Sequence, residues 1–275
     1  MSGYASALRR AAVKKRAITV ANAAGVFAPL LLLWELVLWL FHVPSYMLPS
    51  PLAVARAVAA KFPSLVGSFV ITAEEAAGGL IVSIIVGVTV ALIFAQSRWV
   101  RKMLYPWTLL LQTVPIVAIA PLILMWFGAG LPSVTLIAFI ISLAPIIANT
   151  TQGLISVDEN LVHLFLMHNA SPAQILFKLR LPHSVPSLFV GIRIASGIAV
   201  IGAITGELYA GSSSVGVGGL GYSILYASSQ LQTDYLFALV LAATVLGFGF
   251  LFLAMFLEWY FLHDWHESAR APESE

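Results

Sequence analysis

The stretch 157-VDENLVHLFLMHNASPAQILFKLRLPHSVPSLFVGIR-193 is polar, whereas most of the chain around it is apolar. Asp158 can cap a helix that runs roughly from Glu159 to His168, because its carboxylate can accept from the free N–H groups of the first turn. Asn169 tolerates the left-handed conformation in which helices end. Four side chains fall on one side of this helix at helical spacing: Leu161, Leu164, Phe165 and His168.

A second helix is expected directly after the first. Ser171 can cap it, with Pro172 at its first position, where the missing N–H of proline has no effect. Pro182 is expected to stop it, because proline removes a hydrogen bond and clashes with the preceding turn. The pattern therefore predicts an amphipathic helix–turn–helix at a membrane surface, whose apolar edge must be covered by the protein or by a partner.

Composition indicates a membrane protein. The chain has 275 residues, of which 60% are hydrophobic and 9% charged, and its mean hydropathy is +0.96, whereas soluble domains carry about 25% charged residues. A pI near 8.9 fits lysines and arginines at an anionic inner leaflet better than nucleic-acid binding. The chain has no cysteine, which excludes disulfides, thiolate metal sites and cysteine nucleophiles. We expect an all-α integral membrane protein with no metal site and no nucleic-acid partner.

Six apolar runs are long enough to cross the hydrocarbon layer, which takes about 20 helical residues. They cover roughly 18–41, 69–95, 105–127, 134–154, 188–210 and 235–262, and the third is interrupted by Pro115 and Pro121. The first run is too long for the core of a signal peptide, so we expect a retained helix. A short surface helix is expected near 52–61, and a Gly/Ser-rich linker at 211–223 precedes the last span.

This interpretation divides the chain into five segments. They are a cytoplasmic basic tail at 1–17, a first transmembrane helix at 18–42, an extracytoplasmic segment at 43–67, a transmembrane core at 68–262 with the polar loop at 157–187, and a cytoplasmic tail at 263–275. Lysines and arginines concentrate in cytoplasmic loops. With both termini in the cytoplasm, all of them except Arg56 and Lys61 fall inside, which favours this orientation.

Small residues recur on the fifth span at the spacing that lets helix backbones approach closely in lipid. They are Gly191, Ala195, Ala199, Ala203 and the pair Gly202 and Gly206. They predict either helix packing within one chain or a dimer seam beside a central pathway.

Polar groups within the spans are candidates for a translocation pathway, because ionisable side chains there are costly and usually face a cavity or a partner. Glu74, Glu75 and Glu207 could line an outward vestibule or, alternatively, cap helices and reach the headgroups. For Glu35 and Glu258 we favour the structural role. Prolines inside spans are tolerated where the freed carbonyl is buried or lines a cavity. The predicted pathway residues are Gln112, Pro115, Asn149, Glu74 and Glu207.

The polar stretch resembles the cytoplasmic coupling loop of ABC importer permeases. That loop has the pattern E-A-A-x3-G, followed about a dozen residues later by L-P. Here L-P is Leu181-Pro182, preceded by ASPAQILFKLR at 170–180. Asn169 stands where the glycine would be, and both residues accept the left-handed turn. The E-A-A positions are occupied instead by His163, Leu164 and Phe165.

The resemblance covers about residues 44–262 and is to permeases of the nitrate/sulfonate/taurine type. It is carried by LPSP at 48–51, LQTVPIVAIAPLILMWFG at 111–128 and AVIGAITGELYAGSSSVGVGGLGYSI at 199–224. The coupling loop and LYASSQLQTDYLFALVLAATVLG at 225–247 look closest to the branches that carry pyrimidine thiamine precursors or riboflavin.

The resemblance implies a type I ABC importer permease fold, with six transmembrane helices and cytoplasmic coupling helices, in a bacterial cytoplasmic (inner) membrane. It also implies a permease homodimer, two cytoplasmic ATPase subunits that bind ATP and Mg, and an extracytoplasmic solute-binding protein. The substrate would be a pyrimidine thiamine precursor or a riboflavin-like compound, with sulfonate, taurine or nitrate as alternatives. The residues that would couple to the ATPase are Asp158, Leu161, His163, Leu164, Phe165, His168, Asn169, Ala170, Ser171, Leu181 and Pro182.

The same residues can be compared with two other classes of protein, a secondary transporter or channel and an enzyme. An ATP-independent secondary transporter or channel could use Glu74 and Glu207 as ion sites, but it has no reason for an amphipathic inner loop. An enzyme would need a motif such as G-x-S-x-G or H-E-x-x-H, and neither occurs. No lysine is followed by Ser or Thr, as a P-loop requires. We therefore expect a transport subunit that is not an enzyme, with ATP hydrolysis on a separate chain.

Overall fold

The computed structural model describes residue 25 and residues 29–113, 115–210 and 218–263. Three predicted segments lie outside the described residues: the basic tail at 1–17, the tail after 263, and positions 211–217 of the Gly/Ser-rich linker. The same holds for 18–28 of the first predicted span, apart from residue 25.

Every regular element among the described residues is a helix. In chain order the helices are α1 (Pro29–Phe41, its described part), α2 (Pro51–Ala60), α3 (Phe62–Gln96), α4 (Arg98–Leu110), α5 (Ile116–Phe127), α6 (Leu131–Ile155), α7 (Glu159–Met167), α8 (Pro172–Ile175), a π-helical turn (Leu176–Arg180), α9 (Leu181–Ala210), α10 (Leu220–Ser229) and α11 (Thr233–Leu262). The predicted all-α class and the short helix near 52–61 are confirmed.

Four helices in the described part of the chain are long and apolar enough to cross a membrane. They are α3, α6, the continuous helix Pro172–Ala210, and α11. The predicted third span is instead divided into α4 and α5, because Pro115 cannot continue a helix and stands at the N-cap of α5. Pro121 was expected to interrupt this span as well, and that was wrong. It lies inside α5, which continues around it.

The described residues form two compact units. The first contains α1, α2 and Ala227–Ala238. In this unit the ring of Trp34 lies 5.9 Å from that of Phe237, and Thr233 Oγ1 donates to the carbonyl of Tyr46 at 2.8 Å. The loop after α1 is therefore tied to the start of α11.

The second unit runs from Pro63 to Tyr226 and resumes at Leu239. Its packed faces carry small and polar side chains. Ser83 of α3 and Ser142 of α6 share a hydrogen bond of 2.8 Å, and Ser83 also donates to the carbonyl of Phe139. The outward face of α11 is apolar instead, with Phe252 63% and Trp259 61% exposed. This inverted pattern is what a lipid environment requires, because hydrocarbon does not drive apolar side chains inward.

The small-residue stripe of α9 packs within the chain, against α6. A Cβ on Gly191 would lie 3.1 Å from the carbonyl oxygen of Pro145, and one on Gly202 would lie 2.9 Å from Cα of Ala138. The other stripe members are buried as well: Ala195, Ala199, Ala203 and Gly206. These contacts are the ones expected for packing within one chain, and the dimer seam stays a prediction.

Close helix packing gives a testable expectation on α3. A Cβ on Gly79 would lie 2.6 Å from Cβ of Ala138 and 2.8 Å from the amide nitrogen of Phe139, whereas nothing lies within 4 Å of one on Gly67. Gly79→Ala is therefore expected to lower the free energy of unfolding by about 1–3 kcal/mol through overpacking. Gly67→Ala, in the same helix, should leave it unchanged or slightly raised. Thermal unfolding midpoints in mild detergent measure both, and equal midpoints for the two variants would contradict the packing described.

Pro182 does not stop the second helix of the polar stretch, contrary to the expectation, and the helix that contains the predicted fifth span begins well before 188. The chain runs as one helix of 39 residues, Pro172–Ala210. The Leu181 amide donates to the carbonyl of Leu176, five residues back, which makes the turn before Pro182 a π-turn. This wider turn shifts the carbonyls that the proline ring would otherwise meet, so the helix passes through the proline.

Candidate functional site

The turn between the two inner helices is a Schellman motif. Asp158 Oδ1 accepts from the amide of Asn160 at 2.8 Å and caps α7, as predicted. At the other end Asn169 is left-handed, with φ 56°. The Ala170 amide donates to the carbonyl of Phe165 and the Asn169 amide to that of Leu166, both at 3.0 Å. These are the two bonds that define the motif, and they fix the direction in which the chain leaves α7.

The second inner helix begins with a capping box. Ser171 Oγ accepts from the amide of Gln174 at 3.3 Å, and Gln174 Oε1 accepts from the amide of Ser171 at 2.8 Å. Two N–H groups that a helix start leaves without partners are thus satisfied reciprocally. Pro172 occupies the first helical position, as the sequence predicted.

The end of the second of these helices is anchored to the C-terminal ends of α3 and α6. Leu176 packs in a buried cluster with Ala91, Ala95 and Leu154, against which Leu181 also packs. On this same anchor, the side chain of Arg180 donates through Nη1 to the carbonyl of Ala95 at 2.9 Å. The turn at Leu176–Arg180 is therefore held by α3 and α6.

A groove of about 270 Å³ opens beside the Schellman turn. Its lining combines apolar and polar side chains: Leu164, Phe165, His168, Ala170, Gln174 and Lys178. Exposed apolar side chains continue the surface, with Met167 79% and Phe177 59% exposed. We call the six lining residues the docking groove.

The predicted coupling residues divide into three sets in the structure. Leu164, Phe165, His168 and Ala170 line the docking groove. The helices beside the groove are capped by Asp158 and Ser171, and the turn between them is formed by Asn169. Leu161 and His163 are exposed on α7 outside the groove lining, and Leu181 and Pro182 belong to the helix that anchors it.

Among the described residues, no hydrogen bond joins any two of the predicted pathway residues. Gln112 and Pro115 are exposed at the break between α4 and α5. Asn149 is half-buried and donates to the carbonyl of Pro145 at 2.8 Å. Glu74 is exposed, whereas Glu207 is 2% exposed.

Glu207 binds the start of α10. Its Oε2 accepts from the amide of Gly221 at 2.5 Å, and its Oε1 accepts from the hydroxyl of Thr72 at 2.6 Å. The Leu220 amide donates to that same hydroxyl at 2.8 Å. A side chain on Gly219 would collide with the Glu207 carboxylate, so glycine is required there. The carboxylate is therefore a helix cap contributed by a distant part of the chain.

The acid that meets Glu207 is Glu75, not its neighbour Glu74. The two side chains contact one another, and Glu75 is 4% exposed. Both Glu74 and Glu75 are candidates for the outward vestibule, but the predicted pathway includes only Glu74. The missed signal is the four-residue spacing: Glu75, Gly79, Ser83 and Gly87 are all buried on α3, which puts Glu75 on the packed face.

Glu258 forms an ion pair, whereas a headgroup contact or a helix cap was favoured for it. Its carboxylate lies 3.4 Å from Nη1 of Arg193, joining α11 to α9. Nearby, the rings of Phe189 and Phe261 stack at 6.0 Å.

Apolar helices long enough to span a bilayer, packed through small residues, define a polytopic membrane protein. Comparison with known proteins specifies the class: residues 79–264 match the family of binding-protein-dependent transport system inner membrane components, and the chain belongs to this family. It is thus an ABC transporter permease, a transport subunit and not an enzyme, and ATP hydrolysis is done by a separate ATPase.

Three relatives extend this comparison. A probable ABC transporter permease protein of Haemophilus influenzae is 34% identical, over 86% of this chain and 91% of the relative. A riboflavin transport system permease protein, RibX of Chloroflexus aurantiacus, is 33% identical, over 83% and 84%. A formylaminopyrimidine transport permease protein, ThiX of Halalkalibacterium halodurans, is 31% identical, over 80% and 86%.

Proposed function

We propose that the chain is the transmembrane subunit of an ATP-driven importer to which a binding protein delivers a small polar organic solute. The importer has six membrane spans per permease, with both termini in the cytoplasm, and two permease copies with two ATPase subunits. The candidates for the six spans are the four long helices, α1, and the broken segment formed by α4 and α5.

The orientation is supported by the positions of the basic residues. Lys178 and Arg180 lie on the inner helix pair, and Arg98, Arg101 and Lys102 lie at the start of α4, beside the same ends of α3 and α6. A cytoplasmic location for this end agrees with the excess of lysine and arginine in cytoplasmic loops. It brings the docking groove to the compartment that contains ATP.

The docking groove is the observation that carries the proposal. A capped and anchored helix pair that leaves Leu164, Met167 and Phe177 exposed needs a partner, because apolar side chains of this size are stabilised by burial. We assign this surface to the ATPase. Because the second helix of the pair is continuous with α9, movement of the ATPase would be transmitted directly to a membrane span.

For the translocation pathway we favour the break between α4 and α5. Gln112 and Pro115 are exposed there, and the backbone is not helical. Irregular backbone at membrane depth is tolerated only where it is buried in protein or lines a water-filled cavity. Glu207 is 2% exposed and each of its oxygens already accepts a hydrogen bond, from Thr72 or from Gly221, which weakens the alternative of a secondary transporter built on Glu74 and Glu207.

We favour a pyrimidine thiamine precursor or a riboflavin-like compound as the substrate. The support is the similarity to two relatives, a formylaminopyrimidine transport permease and a riboflavin transport permease. Both compounds are planar heterocycles with several hydrogen-bonding groups. Sulfonate, taurine and nitrate are the competing solutes, and the binding protein carries most of the selection.

A pull-down tests the proposal. The tagged chain, extracted from its own membranes in mild detergent, is expected to retain a P-loop ATPase at about one copy per permease, as quantified by mass spectrometry. The associated binding protein is then screened for bound pyrimidine or flavin. Recovery of the folded chain alone, together with solute flux in vesicles that needs no ATP, would overturn the proposal.

A further inference from the structure

The contact between Glu75 and Glu207 poses a chemical problem. Both side chains are almost fully buried, at 4% and 2% exposure, and they contact one another. Oε2 of Glu75 is buried and has no hydrogen-bond donor. Two ionised carboxylates have only acceptor oxygens, so they repel one another and cannot form a hydrogen bond. One proton between them converts the same contact into a strong, charge-assisted hydrogen bond.

The surroundings decide which carboxyl carries the proton. Glu207 receives an O–H from Thr72 and an N–H from Gly221, and it lies at the N-terminus of α10, where the helix dipole favours negative charge. No described residue donates to Oε2 of Glu75. These contacts favour the ionised form of Glu207, so a proton shared by the pair is expected on Glu75.

No cation from the packed helices neutralises the pair. Helices α3, α6 and α10 contain no lysine or arginine, and neither does α9 after Arg193. The other charged group that acts on Glu75 is the neighbouring carboxylate of Glu74, which adds negative charge. The titratable residues of α10 are Tyr222 and Tyr226, whose rings stack at 6.2 Å, and α6 has none.

We propose that Glu75 and Glu207 form a proton-binding site, in which the neutral Glu75 carboxyl donates to the Glu207 carboxylate. The bound proton ties α3 to α9, and through Gly221 and Thr72 it ties both helices to the start of α10. The 2.8 Å hydrogen bond between Ser68 and Ser223 also joins α3 to α10 directly. Loss of the proton at alkaline pH places two negative charges in contact and separates the start of α10 from α3.

Infrared spectroscopy of the full chain in lipid nanodiscs tests the site without reference to transport, so its outcome is independent of the proposed function. At neutral pH the wild type is expected to show the carbonyl band of a protonated carboxyl group, shifted in D2O. The band is expected to disappear in Glu75→Gln, whose amide can still donate to Glu207. Glu74→Gln, the matched control one residue away at an exposed position, should retain it.

Three results would overturn the proposal. They are absence of the band from the wild type at neutral pH, its survival in Glu75→Gln, and its loss in Glu74→Gln. A pH titration of the wild type tests the site without any variant, so it does not depend on a variant's folding. The band should persist through neutral pH and vanish only under alkaline conditions. Stabilisation by Na⁺ or K⁺ without a protonated carboxyl band would assign the site to a metal cation instead, and would also refute it.

Discussion

Changing Leu164 to glutamate is expected to release the ATPase from the permease while the membrane helices remain folded. Leu164 is 48% exposed and lines the docking groove, so a bound partner buries it and a charge there is desolvated on docking. Loss of a buried leucine contact amounts to about 1.5–3 kcal/mol, which is roughly tenfold or more in affinity. The ATPase retained in a pull-down, per permease, measures the effect.

Leu166 supplies a matched control for this experiment. It lies on the same helix at 51% exposure but does not line the groove. Leu166→Glu should retain the ATPase, whereas Ala170→Arg, which places a long charged side chain into the groove, should release it. Equal retention by Leu164→Glu and Leu166→Glu would remove the groove from the proposed docking interface.

Replacing Glu207 by alanine is expected to destabilise the protein by about 3–5 kcal/mol. The change leaves the amide of Gly221 buried without an acceptor, at about 1–3 kcal/mol, and adds a cavity, whereas the hydroxyl of Thr72 can still donate to the carbonyl of Ser68. Glu207→Gln keeps one oxygen in place and should be much milder. Thermal unfolding midpoints in mild detergent provide the measurement.

Glu258→Ala is the control for the Glu207 experiment. Its ion pair with Arg193 is partly exposed, at 27% and 38% for the two side chains, and such pairs contribute about 0–1 kcal/mol. If Glu207→Ala proved no more harmful than Glu258→Ala, the assignment of Glu207 as the cap of α10 would be wrong.

Features set by local chemistry could be predicted from the sequence. The caps at Asp158 and Ser171 and the left-handed turn at Asn169 each depend on a side chain within a few residues of the backbone that it serves. The break before α5 follows in the same way from Pro115. For these positions the residue type and its neighbours already contain the physical cause.

Features set by distant contacts could not be predicted in this way. Pro182 predicts the end of a helix. The π-turn that lets the helix continue depends on the packing of Leu176 and Arg180 against α3, which is a distant contact. Glu74 and Glu75 differ by about 100° around the same helix, and only the position of α9 decides which of them meets Glu207. Periodicity on α3 indicates the buried face, but it does not name the partner.

The continuity of Pro172–Ala210 has a mechanical consequence. A helix of 39 residues is about 58 Å long at 1.5 Å per residue, so it acts as a lever between the docking groove and Glu207. A tilt of about 5° displaces its far end by roughly 5 Å at that length. Because Gly191 and Gly202 pack closely against α6, we expect α6 to move with this helix, and a small rotation imposed at one end would become a displacement the size of a small solute at the other.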